Sequence, residues 1–184
     1  MQIKNQISFK AQYVACAKIK NKEKCPHQLE KVDIIELSSF DENDVETVDE
    51  FSKNWKQNIS SAYYRVFVIP QPSLKTHYYA LTLPQDTYYK SNPENILGIC
   101  TISERANDVI NIDFLQTNPK YMYSNKKNQK YTNIGTAFIN FLKEQYPTKK
   151  IRLLSTQEAM GFYLKNNFIP LGNRPNNPCM MWNA

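Results

Sequence analysis

Five consecutive residues, Thr132-Asn133-Ile134-Gly135-Thr136, end a polar loop and open an amphipathic segment whose first turn carries no acidic side chain. A helix N-terminus presents unpaired N–H groups and a partial positive charge, so a turn of this kind suits an anion such as a pyrophosphate. Gly135 and Thr136 are small enough to let a ligand approach the backbone, and Lys126, Lys127 and Lys130 add positive charge beside it. The same residues serve equally well as an ordinary surface-helix start, capped by Asn133 and Gly135.

Composition removes several other chemistries. With 4 glycines in 184 residues, neither a G-x-G-x-x-G dinucleotide turn nor a G-x-x-x-x-G-K-[ST] phosphate loop can be assembled. Two histidines, His27 and His77, leave little for a His-rich metal site or an H-E-x-x-H protease. Cys16, Cys25, Cys100 and Cys179 form no C-x-x-C pair and read as free thiols of a reducing compartment. A zinc site from Cys16, Cys25 and His27 lacks a clear fourth ligand, so no metal is expected. No apolar run is long enough to span a bilayer and the N-terminus has no signal pattern, hence a cytoplasmic protein without membrane contact is expected.

The net charge of +6 is regional: residues 1–31 hold seven lysines against Glu23 and Glu30, a local excess of +5, leaving +1 for the other 153 residues. That arm invites a nucleic-acid reading, as does the mixing of Tyr121, Tyr123 and Tyr131 with lysines, since aromatics stack on bases while lysines meet phosphates.

The elements that must position the turn follow from periodicity. Strands are expected at 32–37, 62–69, 77–83, 96–103, 109–115, 150–155, 168–171 and 179–182, from β-branched and aromatic runs bounded by polar or proline breaks. The short polar link at 105–108 suits a hairpin. Helices are expected at 42–56, from 134 to Tyr146 before Pro147, and at 157–166. Residues 1–31 alternate in part like a strand and form either an added strand or a lysine-studded arm; residues 32–184 make the main domain. The result is a mixed sheet with helices, an α+β or α/β class.

Here the sequence resembles the GNAT superfamily of N-acetyltransferases. The family signature R/Q-x-x-G-x-G/A looks like Lys130-Tyr131-Thr132-Asn133-Ile134-Gly135, with lysine for the first residue and Asn133 for the first glycine. Asn tolerates a left-handed backbone better than most residues, so that change is mild. A second block, N-x-x-A-x-x-F-Y-E-K-x-G-F, is similar to 156–168, where Ala159, Phe162, Tyr163, Lys165 and Phe168 match in order and spacing, with Thr156 for Asn and Asn167 for Gly. The likeness covers roughly 32–183.

The resemblance implies a mostly antiparallel sheet flanked by helices, with a splayed slot, and direct acetyl transfer from acetyl-CoA to a primary amine. It places Leu115, Gln116 and Thr117 beside the pantetheine arm, and Lys130 to Thr136, Thr156, Ala159 and Phe162 around the rest of the co-substrate. Tyr163 matches the frequent general acid for the leaving thiolate; the plainer alternative is a tyrosine packed on the sheet. The family does not fix the base, for which Asp113 and Glu104 are candidates acting through a water. His77, Tyr78 and Tyr79 either line the acceptor side or are ordinary strand residues. The rivals are a nucleic-acid-binding module, outweighed by this likeness, and a CoA-binding protein that has lost catalysis. The acceptor, and a homodimer through the final strands, stay open.

Overall fold

The computed structural model describes residues 11–24, 28–55, 67, 75–86, 91–105, 108–122, 130–172 and 178–184. The strand expected at 62–69 lies outside them apart from Phe67, which has helical and not extended backbone; Cys25, His27, Lys126 and Lys127 also lie outside. The chain runs β1 (Gln12–Asn21), β2 (Leu29–Leu37), α1 (Glu42–Trp55), β3 (Lys75–Thr82), β4 (Ile96–Arg105), β5 (Val109–Thr117), β6 (Tyr131–Thr132), α2 (Ile134–Gln145), β7 (Lys150–Leu154), α3 (Gln157–Lys165), β8 (Ile169–Leu171) and β9 (Cys179–Trp182).

These strands form one sheet in the order β6-β1-β2-β3-β4-β5-β7-β9-β8. Every pairing is antiparallel except β5 with β7, the parallel pair that α2 connects. The mixed, mostly antiparallel sheet flanked by helices is therefore as the sequence implied. At the expected hairpin Arg105 pairs with Val109, and Asp108 takes a φ of 55°.

Residues 12–21 and 29–31 lie in strands of the sheet and not in a separate arm. β1 pairs along β2 from Gln12 to Lys20, β2 already begins at Leu29, and Ile19 is fully buried in the core. The strand alternative prevails because the alternating Ala15, Ala17 and Ile19 have an apolar face to cover.

The sheet is coated on both sides. On one face α2 and α3 bring Ile134, Phe138, Phe141, Leu142 and Tyr163 onto Tyr79, Leu97, Cys100, Ile110 and Ile151. On the other, Val48, Phe51 and Trp55 of α1 meet Ile35, Tyr78, Ala80, Ile96 and Ile99. Adjacent strand residues such as Tyr78 and Tyr79 fall into different cores, as the period of two demands. Phe51, Phe67, Phe138 and Phe168 are fully buried, each stabilising by roughly 1.5–3 kcal/mol. Asp41 starts α1 by accepting from the N–H groups of Asn43 (3.0 Å) and Asp44 (3.2 Å). α2 ends at Gln145, with Tyr146 as its C-cap just before Pro147, whose ring cannot continue the helix.

Candidate active site

The parallel pair β5–β7 opens into a fork. Its register runs from Val109↔Lys150 to Ile112↔Leu153 and stops, whereas β5 continues to Thr117 paired only with β4. The chain leaving β7 turns instead toward the last strands, with Ser155 N–H donating to Pro178 O (2.9 Å). Along 113–117 one edge of β5 therefore has no neighbouring strand among the described residues. The fork begins at a bulge. Thr101 pairs with Phe114 and Ile102 with Ile112, so Asp113 is the extra residue on β5. Leu115 and Thr117 are half-buried beside this edge and Gln116 is buried.

α2 is aimed by two contacts that forbid side chains. A Cβ on Gly98 of β4 would lie 2.8 Å from Ile134 Cγ2 and 3.1 Å from Gln116 O, so α2 begins directly on the sheet beside β5. A Cβ on Gly135 would meet the Phe162 ring at 2.9 Å, which fixes α3 against the first turn of α2. The sequence suggested that Gly135 clears room for a ligand; its nearest neighbour is Phe162, and the space is used by helix packing.

Asn133 stands at the N-cap with φ 67° and ψ 18°, in the left-handed region that the family glycine would occupy, and its side chain makes no cap. The first helical bond runs from Ala137 N–H to Asn133 O (2.9 Å), so the N–H groups of Ile134, Gly135 and Thr136 have no intrahelical acceptor. With no acid in that turn, it carries the positive end of the helix dipole uncompensated.

The residues flanking the turn are already engaged. Lys130 pairs with Glu23 (2.9 Å) and lies over the Tyr131 ring. Tyr131 is buried edge-on against Tyr121, and Thr132 pairs with Lys20 in the ladder between β6 and β1. Thr156 caps α3, accepting from Ala159 N–H (3.3 Å), and the Phe162 ring fills the hollow over Gly135.

Tyr163 is buried on α3, edge-on to Phe162 (4.9 Å between ring centres) and Phe168 (5.6 Å). Burial pushes its phenol well above the ordinary tyrosine value, so it holds its proton at any ordinary pH. Burial also raises the Asp113 carboxyl, which a hydrogen bond with Ser103 and then the charge of Arg105 partly offset.

Glu104 has a different environment. Its carboxylate accepts from Lys75 (2.7 Å), Lys149 (2.7 Å) and faces His77 Nε2 (3.2 Å), and hydrogen bonds from the two lysines hold it down to about 2. It lies opposite Ile110, on the far side of the bulge from the fork. His77 bridges Glu104 to Glu36, whose carboxylate is 2.6 Å from Nδ1, and stacks on Tyr79. Tyr79 packs edge-on to Phe141 with its hydroxyl 3.4 Å from that of Tyr146, while Tyr78 packs on Phe67. These three strand residues are spent on packing and ion pairing.

Nothing local in the sequence marks the β6–β1 pairing, a two-residue ladder, or the joining of Glu36, His77 and Glu104 from three strands. Among the described residues no cluster of three or more His, Cys, Asp or Glu could hold a metal ion, and no helix is long and apolar enough to cross a membrane.

Neither a family model nor a curated protein sequence matches the chain. Solved structures do. A PaiA N-acetyltransferase from Thermoplasma acidophilum with coenzyme A aligns at 16% identity and a TM-score of 0.54, over 83% of this chain and 99% of its own. The Campylobacter jejuni N-acetyltransferase PseH with acetyl coenzyme A aligns at 12% identity and 0.52, over 83% and 99%. An acetyltransferase from Thermus thermophilus gives 8% and 0.57, over 83% and 97%. Their shared architecture, and the forked parallel pair facing an open helix N-terminus, identify this chain's fold as that of the GNAT N-acetyltransferases.

Proposed function

We propose that the protein is an acetyl-CoA-dependent N-acetyltransferase that moves the acetyl group directly to a primary amine. One observation carries the reading: β5 parts from β7 after Ile112 beside a helix start whose first-turn N–H groups have no intrahelical acceptor and whose first turn holds no acid. Two of the similar solved structures are complexes with coenzyme A or acetyl coenzyme A, which supports the same co-substrate here.

In this reading the first-turn N–H groups of α2 take the pyrophosphate. The open edge of β5 at Leu115 to Thr117 pairs with the pantetheine amides, as one strand edge pairs with another. Backbone N–H groups at the bulge polarise the thioester carbonyl, where negative charge grows as the amine attacks. The C–N bond forms as the C–S bond breaks, and the thiolate receives the Tyr163 proton. A buried, strongly protonated phenol fits that task, because it is an acid that water does not titrate first. Asp113 takes the proton from the amine, directly or through a water. Its raised carboxyl and its place at the mouth of the fork favour it over Glu104, a weak base paired to two lysines. We assign Glu104 no proton transfer and read it as a fastening between strands.

The test is thermal denaturation with and without acetyl-CoA or CoA, followed by an amine panel in which released CoA thiol is measured. A rise in Tm with the co-substrate, and thiol release that depends on an amine, are expected. No shift at millimolar acetyl-CoA refutes the reading. A shift without turnover on any amine favours a CoA-binding protein without catalysis.

A further inference from the structure

The fork in the sheet opens on two faces. Tyr163 packs with α2 on one of them, in the core that holds Ile112 and Leu153. Asp113 stands on the other: its carboxyl neighbours the Ser103 hydroxyl, and its charge adds to the burial that lifts the Tyr78 phenol to about 12. Tyr163 and Asp113 thus lie on opposite sides of the sheet. With the co-substrate on the side of α2, the acceptor amine arrives from the side of Asp113.

What that side offers follows from the pleat. Because Ile151, Leu153 and Met180 are buried with α2 and α3, Arg152, Leu154, Cys179 and Met181 face away from those helices. The register sets them in two rows, Asn111, Arg152, Met181 and Ile169 in one and Leu154, Cys179 and Leu171 in the next. Asp113 and Leu154 are the first residues past the last pair, Ile112↔Leu153, so they flank the fork. Leu154 is 67% exposed, Ile169 52% and Leu171 38%, and the core beneath α1 includes none of them.

One oriented cation sits in this apolar surface. Arg152 Nε donates to Asn111 Oδ1 (2.9 Å), a bond that fixes the guanidinium plane and uses one of its several N–H donors. Arg105 acts on Asp113 through its charge, from the end of β4 away from the fork. A planar set of donors suits a carboxylate, and a carboxylate such as Asp113 suits an ammonium. An α-amino acid carries both charged groups on one carbon, and Arg152 and Asp113 stand on neighbouring strands.

Resting on the co-substrate reading above, we propose that the acceptor is a free α-amino acid with an apolar side chain: Asp113 receives its amino group, Arg152 its carboxylate, and Leu154, Leu171 and Met181 its side chain. The amino nitrogen forms the C–N bond as the C–S bond breaks. Of the two protons that its ammonium loses, one leaves to solvent through Asp113 and the other balances the proton that Tyr163 gives to the sulfur. The products are an N-acetylamino acid and the CoA thiol.

Thiol release from acetyl-CoA by the full chain, measured with leucine, leucinamide, 3-methylbutylamine and glycine, tests this. Leucine should exceed both amines that lack a carboxylate by at least about tenfold in kcat/KM, the worth of one charge-assisted pair. It should exceed glycine by about tenfold through side-chain burial. Arg152→Gln should bring leucine down to the level of leucinamide while the rise in Tm with acetyl-CoA is kept. Leu154→Ser, a change at an exposed position, should erase the advantage over glycine and keep the advantage over leucinamide. Leucinamide or 3-methylbutylamine used as well as leucine overturns the proposal, as do unchanged ratios in both variants. So does a Tm shift with acetyl-CoA but no thiol release with leucine. A dimer in sedimentation velocity that Leu154→Asp/Leu171→Asp dissociates gives this face to a second copy and likewise overturns it. No Tm shift with acetyl-CoA is the separate failure of the co-substrate reading itself.

Discussion

Gly135 of α2 and Phe162 of α3 share one volume: a Cβ on the glycine would stand 2.9 Å from Phe162 Cζ. The open helix start and the helix bearing Tyr163 are therefore held in register by an absent side chain. Gly135→Val should destabilise the fold by about 1–3 kcal/mol through overpacking. Phe162→Leu in the same chain should recover part of the loss, because the shorter side chain vacates the space. Thermal denaturation of the two single variants and the double variant measures the coupling. Purely additive effects would show that the two side chains do not compete.

Tyr163→Phe removes the hydroxyl and keeps the ring that packs between Phe162 and Phe168. Turnover of acetyl-CoA with a good amine should fall by about 10²- to 10⁴-fold. Binding of acetyl-CoA and the unliganded Tm should change little. Full activity in this variant would refute the general-acid role.

Asn133 holds the start of α2 with a φ of 67°. Asn133→Gly should leave stability and CoA affinity near wild type, since glycine adopts that conformation freely. Asn133→Val should cost about 1–2 kcal/mol and weaken CoA binding, because a β-branched residue resists the left-handed region. Circular dichroism melts and titration with CoA separate the two effects. A valine variant indistinguishable from wild type would show that the turn does not depend on this geometry.

His77 lies between the carboxylates of Glu36 and Glu104, with Lys75 on the Glu104 side and Tyr79 beneath its ring. The hydrogen bond to Glu36 raises its pKa above the usual 6.5, against the opposing effect of burial. A folded-state pKa above the unfolded one adds stability that is complete below about 6.5 and is lost as pH rises through the folded value. The Tm difference between wild type and His77→Gln should be largest in mild acid and shrink as the pH is raised. A difference that grows with pH would contradict the imidazolium assignment.

Glu104 has the opposite sign. Its carboxyl falls from 4.5 to about 2 through hydrogen bonds from Lys149 and Lys75. The stability it contributes is present above 4.5 and is lost as pH falls from there toward 2. Wild type should therefore lose Tm faster than Glu104→Gln over that acid interval, with transferase activity near neutral pH largely kept in the variant. Abolished activity together with an unchanged Tm would reinstate Glu104 as a base.

Periodicity made most of the framework legible. Helix spacing at Val48, Phe51 and Trp55, and at Ile134, Phe138 and Phe141, located α1 and α2 to within a residue or so, because one apolar stripe must face the sheet. The tolerance of Asn133 for positive φ was likewise readable from side-chain chemistry. What could not be read was pairing at a distance. Thr132 meets Lys20 through two residues of strand, and Glu104 meets Lys75 and Lys149 through a register that no local pattern encodes. Glu104 could pass for a base because a sequence shows a carboxylate but not the cations around it. Gly135 could pass for a ligand hollow because a sequence shows a missing side chain but not the ring that takes its place.

The ladder between β1 and β6 also governs the order of folding. β1 can zip to β2 as soon as the first hairpin exists, but its other edge waits for Tyr131 and Thr132, more than a hundred positions later. Contacts so distant in sequence form late, after the loop-closure entropy of everything between them has been overcome. Until then even the end of β1 has an unpaired edge, and four lysines at 18, 20, 22 and 24 lie along the strand and just past its end. Like charges along such an edge repel other copies of the same strand, so the lysines guard the nascent chain against aggregation.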